Sequence, residues 1–127
     1  MIGYKVCRVY NPGLYISAVA EAQRCVFYTL GHKIEPPVPG TGLFLFCGLN
    51  FAVRFAHVQP YRGLDFCILQ CDYEEYPLAK IRDETPFDRV LRTYKWPNGT
   101  VIAKHCTPQS LVMDNAAITR EAHDAWI

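Results

Sequence analysis

The residue types that most often carry chemistry are scattered through this chain. Its six cysteines are Cys7, Cys25, Cys47, Cys67, Cys71 and Cys106, and its four histidines are His32, His57, His105 and His123. No two histidines form the close pair on one element that zinc ligation needs, so we expect no metal site. Cys67 and Cys71 are four residues apart on a predicted strand, about 13 Å along it, which is too far for a disulfide. The apolar surroundings of the cysteines predict reduced, buried thiols, and a Cys/His nucleophile pair stays open.

Composition predicts one globular domain covering residues 1–127. Half of the residues are hydrophobic and 20% are charged, with a formal net charge of +1. This balance gives no signal for nucleic acid or an anionic membrane. The start of the chain lacks the pattern of a secretory signal, and no apolar stretch reaches the length of a membrane span. We therefore expect a cytoplasmic protein, whose oligomeric state the composition does not determine.

The elements that would position these side chains are mostly strands. Residues 4–10, 15–20 and 24–30 are rich in aromatic and β-branched residues, and a turn at 11–13 separates the first two, which predicts an antiparallel opening. A proline-rich stretch at 35–40 predicts an irregular loop. Residues 43–46 then form an apolar run typical of a central strand buried on both faces.

The second half of the chain adds helices to this sheet. Asn50 is placed to cap a short helix through His57, and a strand is expected over 65–73. The turn at 96–99 predicts a hairpin between 89–95 and 100–105. Residues 115–126 show helical spacing, with Trp126 expected to dock the helix. The predicted fold class is α+β: a mostly antiparallel sheet of about seven strands, a short central helix and a C-terminal helix.

One segment carries a pattern found in a known family. A turn, Tyr28-Thr29-Leu30-Gly31, leads to the strand Gly42-Leu43-Phe44-Leu45-Phe46, and a helix carrying Ala52 and Phe55 follows. This arrangement resembles the central segment of ADP-ribosyltransferase-like domains, including small viral, phage or bacterial ones. The late stretch from Val101 to Pro108 also resembles the closing strand of the related RNA phosphotransferases.

The resemblance implies an NAD-binding cleft beside residues 42–46. In that family a polar residue on an early strand holds NAD, and the stretch Tyr4-Lys5-Val6-Cys7-Arg8 is similarly placed. The implied cofactor-binding residues are Arg8 on the phosphates, with Tyr28, Gly42, Leu43 and Phe55. The catalytic glutamate of the family has no clear match, and Asp65 is the nearest acidic residue at a strand start.

A second hypothesis is a non-enzymatic interaction module, such as a viral accessory protein that binds a host partner. Aromatic residues make up 13% of the chain, and aromatic side chains often anchor protein contacts. A solvated acidic loop is expected around Tyr73, Tyr76 and Pro77. Together with Trp96 in its turn, these residues are the predicted anchors for a protein partner.

Overall fold

The computed structural model describes residues 1–18, 25–37, 42–57, 65–76 and 97–126. Within these ranges the strands are β1 (Ile2–Asn11), β2 (Leu14–Ser17), β3 (Phe27–Tyr28), β4 (Leu43–Phe46), β5 (Phe66–Glu75) and β6 (Thr100–Met113), and the helices are α1 (Leu49–His57) and α2 (Asn115–Trp126). The chain is therefore an α+β domain, with a six-stranded antiparallel sheet, a short central helix and a C-terminal helix, as the sequence predicted.

The sheet closes on itself through its hydrogen bonds. Its strand order is β3-β2-β1-β4-β6-β5, and β5 also pairs with β1. The β1–β5 register runs from Ile2 opposite Asp72 to Arg8 opposite Phe66. Strands β1, β5, β6 and β4 thus form a closed ring, and the β2–β3 hairpin extends from the second half of β1. Beyond β3, Ile34 pairs with Cys106 of β6.

Alternating side chains divide the core between the two faces of this ring. The inner cluster is Cys7, Tyr15, Val26, Tyr28, Leu43, Leu45, Cys67, Leu69, Cys71, Tyr73, Ala103 and Cys106. The outer cluster is Val6, Phe46, Ala52, Val53, Ala56, Phe66, Ile68 and Ile118. Since the outer cluster contains the helical residues, the inner cluster lies on the opposite face of the sheet, which the ring encloses.

The two helices cover the outer face. Helix α1 buries Ala52, Val53 and Ala56, and it begins at Leu49, one residue before the predicted cap Asn50. Helix α2 is capped by Asp114, whose Oδ1 accepts the amide of Ala117 at 2.8 Å. No helix in the described ranges has the length and apolar character needed to cross a membrane.

Several element boundaries differ from the prediction. Strand β5 continues to Glu75, so the expected solvated loop begins later, and β2 ends at Ser17. Strand β6 continues through Pro108 to Met113 because its pairing with β5 shifts register between Gln70 and Cys71, the residue opposite Pro108. Such irregularities are where a strand accepts proline. The predicted hairpin strand 89–95 and the docking of the Trp126 side chain lie outside the part that the structure describes.

The turns agree with the sequence. Gly13 and Gly99 both have a φ of +81°, a conformation that glycine adopts without strain. Gly13 lies in the turn between β1 and β2, and Gly99 immediately precedes β6. All six cysteines are free, but Cys25 and Cys47 are exposed, contrary to the expected burial of every thiol.

Candidate functional site

Strand β1 changes its neighbour halfway along one edge, and we call this point the branch. At Tyr4 the neighbour is β4, through Phe46, whereas from Cys7 to Asn11 the neighbour is β2. Within the described ranges, no strand pairing joins β4 to β2 or β3. The wall of the sheet is therefore split beyond the branch, with β4 on one side and the β2–β3 hairpin on the other.

Lys5 lies at the branch and points into the ring. It is two residues from Cys7 of the inner cluster and therefore on the same face of β1, and only 4% of its surface is exposed. Its Nζ donates a hydrogen bond to the carbonyl oxygen of Phe44 in β4 at 2.7 Å, and lies 5.4 Å from the centre of the Tyr28 ring in β3. A buried charge needs such partners, because desolvation is costly. The ammonium therefore contacts both sides of the split, β4 through Phe44 and β3 through Tyr28.

Four cysteine thiols share the inner face with this ammonium. A hydrogen bond with Cys106, followed by burial, raises the pKa of Cys71, while the charge of Lys5 acts in the opposite direction. Burial, with the charge of Asp65, raises the pKa of Cys67 to about 12. These thiols are protonated at neutral pH and are poor nucleophiles. Among the described residues, no group of three His, Cys, Asp or Glu side chains is arranged to hold a metal ion.

Two residues of the implied NAD set, Tyr28 and Leu43, are fully buried in the inner cluster. Gly42 is also buried, and its missing side chain makes room for β6. A Cβ there would collide with the Cγ2 methyl of Ile102 and lie 3.1 Å from the carbonyl oxygen of Ala103. The close approach at Gly42 is therefore one between two strands.

The other predicted site residues lie away from this group. Phe55 packs against the outer cluster, with its ring 5.1 Å from that of Phe46. Arg8 is opposite Phe66 across the β1–β5 pair. Asp65 is exposed, and its carbonyl oxygen accepts the amide of Val9 at 2.9 Å. The structure thus places Arg8 and Asp65 where the β1–β5 pairing ends. It does not bring them or Phe55 together with Tyr28, Gly42 and Leu43.

The predicted aromatic anchors are only partly described. Tyr73 is 4% exposed and belongs to the inner cluster, so it is not available as an anchor. Tyr76 is half-buried, with its amide bonded to the carbonyl of Ile102. Pro77 and Trp96 lie outside the described residues. An exposed aromatic pair occurs elsewhere: Tyr10 and Phe27 make an edge-to-face contact with ring centres 5.4 Å apart.

The sequence interpretation assigned ligand contact on β1 to Arg8 and missed Lys5. Strand alternation was the signal that could have found Lys5, because Lys5 and Cys7 share a face that Arg8 does not. That signal was ambiguous, since Val6 and Cys7 are adjacent and both apolar. Knowing which of them enters the ring requires the position of the helices.

Comparisons with protein-family models, with curated proteins and with solved structures give no significant match to this chain. The functional interpretation therefore rests on the side chains around the branch, and on the resemblance in residues 28–55.

Proposed function

We propose that this domain binds a nucleotide, NAD, at the branch, as a small ADP-ribosyltransferase-like domain in which Lys5 supplies the positive charge. The observation that carries the proposal is the buried Lys5 ammonium held between β3 and β4. An ammonium attracts phosphate oxygens, and it does so more strongly where water is excluded. The proposal concerns binding, because the acidic candidate Asp65 is exposed at the start of β5.

The resemblance supports the same location. It puts the cleft beside residues 42–46 and the ligand-holding polar residue on the early strand 4–8. Lys5 belongs to that early strand, and its hydrogen-bond partner Phe44 belongs to the glycine-led strand. NAD, when bound, supplies an anomeric ribose carbon from which nicotinamide can leave. In this complex Lys5 would bind the phosphate oxygens of NAD and Tyr28 would pack against one of its planar rings, whereas Gly42 contributes packing between strands.

Isothermal titration of the full chain with NAD tests this proposal. We expect saturable heat at millimolar NAD, and at least tenfold weaker binding in Lys5→Met, which keeps the apolar stem and removes the charge. Lys104→Met is the matched control, because Lys104 is exposed on β6 and should be dispensable. Circular dichroism checks that each variant is folded.

The titration of the wild-type protein can overturn the proposal even if Lys5→Met does not fold. No saturable heat at millimolar NAD would exclude binding. Equal affinity of folded Lys5→Met and wild type would exclude Lys5 as the cation.

The exposed pair Tyr10 and Phe27 favours a second candidate function, binding of a protein partner. Both side chains lie on the solvent side of the β1–β2–β3 hairpin, with exposed fractions of 58% and 46%. Exposed aromatic pairs are common anchors at protein interfaces. Affinity capture with the wild type and with the double variant Tyr10→Ser, Phe27→Ser tests it. Proteins retained by the wild type and lost with the variant would support the surface, and identical sets would exclude it.

A further inference from the structure

A cleft opens on the outer face of the sheet, between the two helices and away from the branch. Its volume is about 220 Å³, and it is lined by Ala56, His57, Phe66, Asn115, Ile118 and Thr119. The apolar lining residues Ala56, Phe66 and Ile118 are each no more than 5% exposed, so they form its floor. His57, Asn115 and Thr119 supply the polar groups. An apolar floor with a few polar groups is the usual composition of a small-molecule site.

Arg8 is the cross-strand neighbour of Phe66, one of the lining residues, although Arg8 does not itself line the cleft. It is directly opposite Phe66 in the β1–β5 register, so the two side chains leave the sheet on the same face, with Cβ atoms about 5 Å apart. The Nε of Arg8 is buried and has no hydrogen-bond partner among the described residues. A buried N–H group without an acceptor is costly, and an anion that accepts from it removes that cost.

We propose that the cleft binds a small aromatic carboxylate. Its ring would lie against Phe66 and Ile118, and its carboxylate would accept hydrogen bonds from the Arg8 guanidinium. The planar fork of arginine matches the geometry of a carboxylate. The volume is below that of typical drug-sized pockets, so it fits a ligand of one ring. This site lies on the opposite face of the sheet from Lys5 and does not depend on NAD binding.

Titration of the ¹⁵N-labelled full chain with benzoate, followed by two-dimensional NMR, tests the proposal. We expect saturable shifts for the amides of Ala56, His57 and Thr119, with little change at Tyr28. Benzamide has the same shape without the charge and should bind at least tenfold more weakly. Lys5→Met should bind benzoate as the wild type does, which separates this site from the branch.

Two variants sharpen the test. Arg8→Met should weaken benzoate binding at least tenfold, whereas Arg54→Met, which removes an exposed arginine of α1, should not change it. Thr119→Trp should fill the cleft from its exposed rim and abolish binding.

The proposal is overturned if benzoate gives no saturable shifts, or if benzamide binds as well as benzoate. It is also overturned if folded Arg8→Met keeps wild-type affinity. The benzamide comparison uses wild-type protein, so it decides the test even if Arg8→Met does not fold.

Discussion

The two faces of the sheet solve different packing problems with alternate residues of the same strands. The inner face is enclosed by the ring and contains four of the six cysteines, together with buried Lys5 and Ser17. The outer face is built from phenylalanines and aliphatic residues under two helices, and it leaves a cleft. Ring closure encloses the side chains of the inner face, whereas helices resting on a sheet leave gaps at their borders. The buried polar groups and the cleft are therefore on opposite faces of the sheet.

The largest expected difference between the faces is in thiol reactivity. Burial and the charge of Asp65 raise the pKa of Cys67 from 9.0 to about 12, which lowers its thiolate fraction at pH 8 about a thousandfold relative to an ordinary cysteine. We expect iodoacetamide at pH 8 to label Cys25 and Cys47, which are exposed, and to spare the four inner thiols. Mass spectrometry should count two labels in native protein and six after denaturation.

The same thiols set a pH dependence of stability. A pKa raised by folding gives stability that is complete below the unfolded pKa, about 9, and is lost as the pH rises towards 12. Urea midpoints should therefore fall above pH 9. Cys67→Ala should reduce that decrease in the urea midpoint.

In the labelling experiment, rapid modification of all six thiols in the native protein would contradict a closed interior.

Deletion of core side chains compares the two faces directly. Leu69 and Ile68 are neighbours on β5, both fully buried, with Leu69 in the inner and Ile68 in the outer cluster. We expect Leu69→Ala to cost about 3 to 5 kcal/mol and Ile68→Ala about 2 to 4 kcal/mol, because helices can move into a gap more readily than ring strands can. Urea denaturation measures both values. A larger loss for Ile68→Ala would show that the outer face is the more rigid one.

Adding a side chain at Gly42 tests how tightly the ring is closed. A Cβ would collide with Ile102 in β6, so Gly42→Ala should cost about 1 to 3 kcal/mol through overpacking. Folded Gly42→Ala should still bind NAD, since the glycine serves strand contact. Thermal melts with and without NAD measure both effects. A variant that melts like the wild type but no longer binds NAD would make Gly42 part of the ligand site.

The smallest expected effect concerns the cover of the outer face. Asp114→Ala removes the acceptor for the Ala117 amide at the start of α2 and should cost about 1 kcal/mol. Asp114→Asn keeps a side-chain oxygen and should restore most of the loss. Urea denaturation of the two variants provides the measurement, and equal stability of both would show that the cap does not hold α2.

Local patterns were enough to predict much of the fold. The turn glycines, the apolar run at 43–46 and the helical spacing at 115–126 each depend on neighbours in the chain, and the elements appear where they were expected. Ring closure depends on β1 finding β5, which no local pattern encodes. The length of β6 was missed because Pro108 indicates a strand end unless a register shift accommodates it.

The candidate site was less predictable. The resemblance indicates Tyr28, Gly42 and Leu43, and the structure places Tyr28 beside Lys5 and Leu43 in the same inner cluster as Tyr28. The charge of Arg8 indicates a phosphate contact, but tertiary contacts determine the face on which a strand residue lies. The buried Lys5 was missed because a lysine in an amphipathic strand is usually solvated.

The pairing of β1 with β5 has a consequence for synthesis of the chain on the ribosome. Cys7 pairs with Cys67, so this edge of β1 has no β5 partner until some sixty more residues have been synthesised. Until those residues emerge, the β1–β2 hairpin presents an open edge beside the apolar side chains that will fill the ring. Such edges recruit other chains, and long-range closure is slow. The nascent protein is therefore most vulnerable to aggregation before β5 leaves the exit tunnel, and slower growth at lower temperature should favour soluble expression.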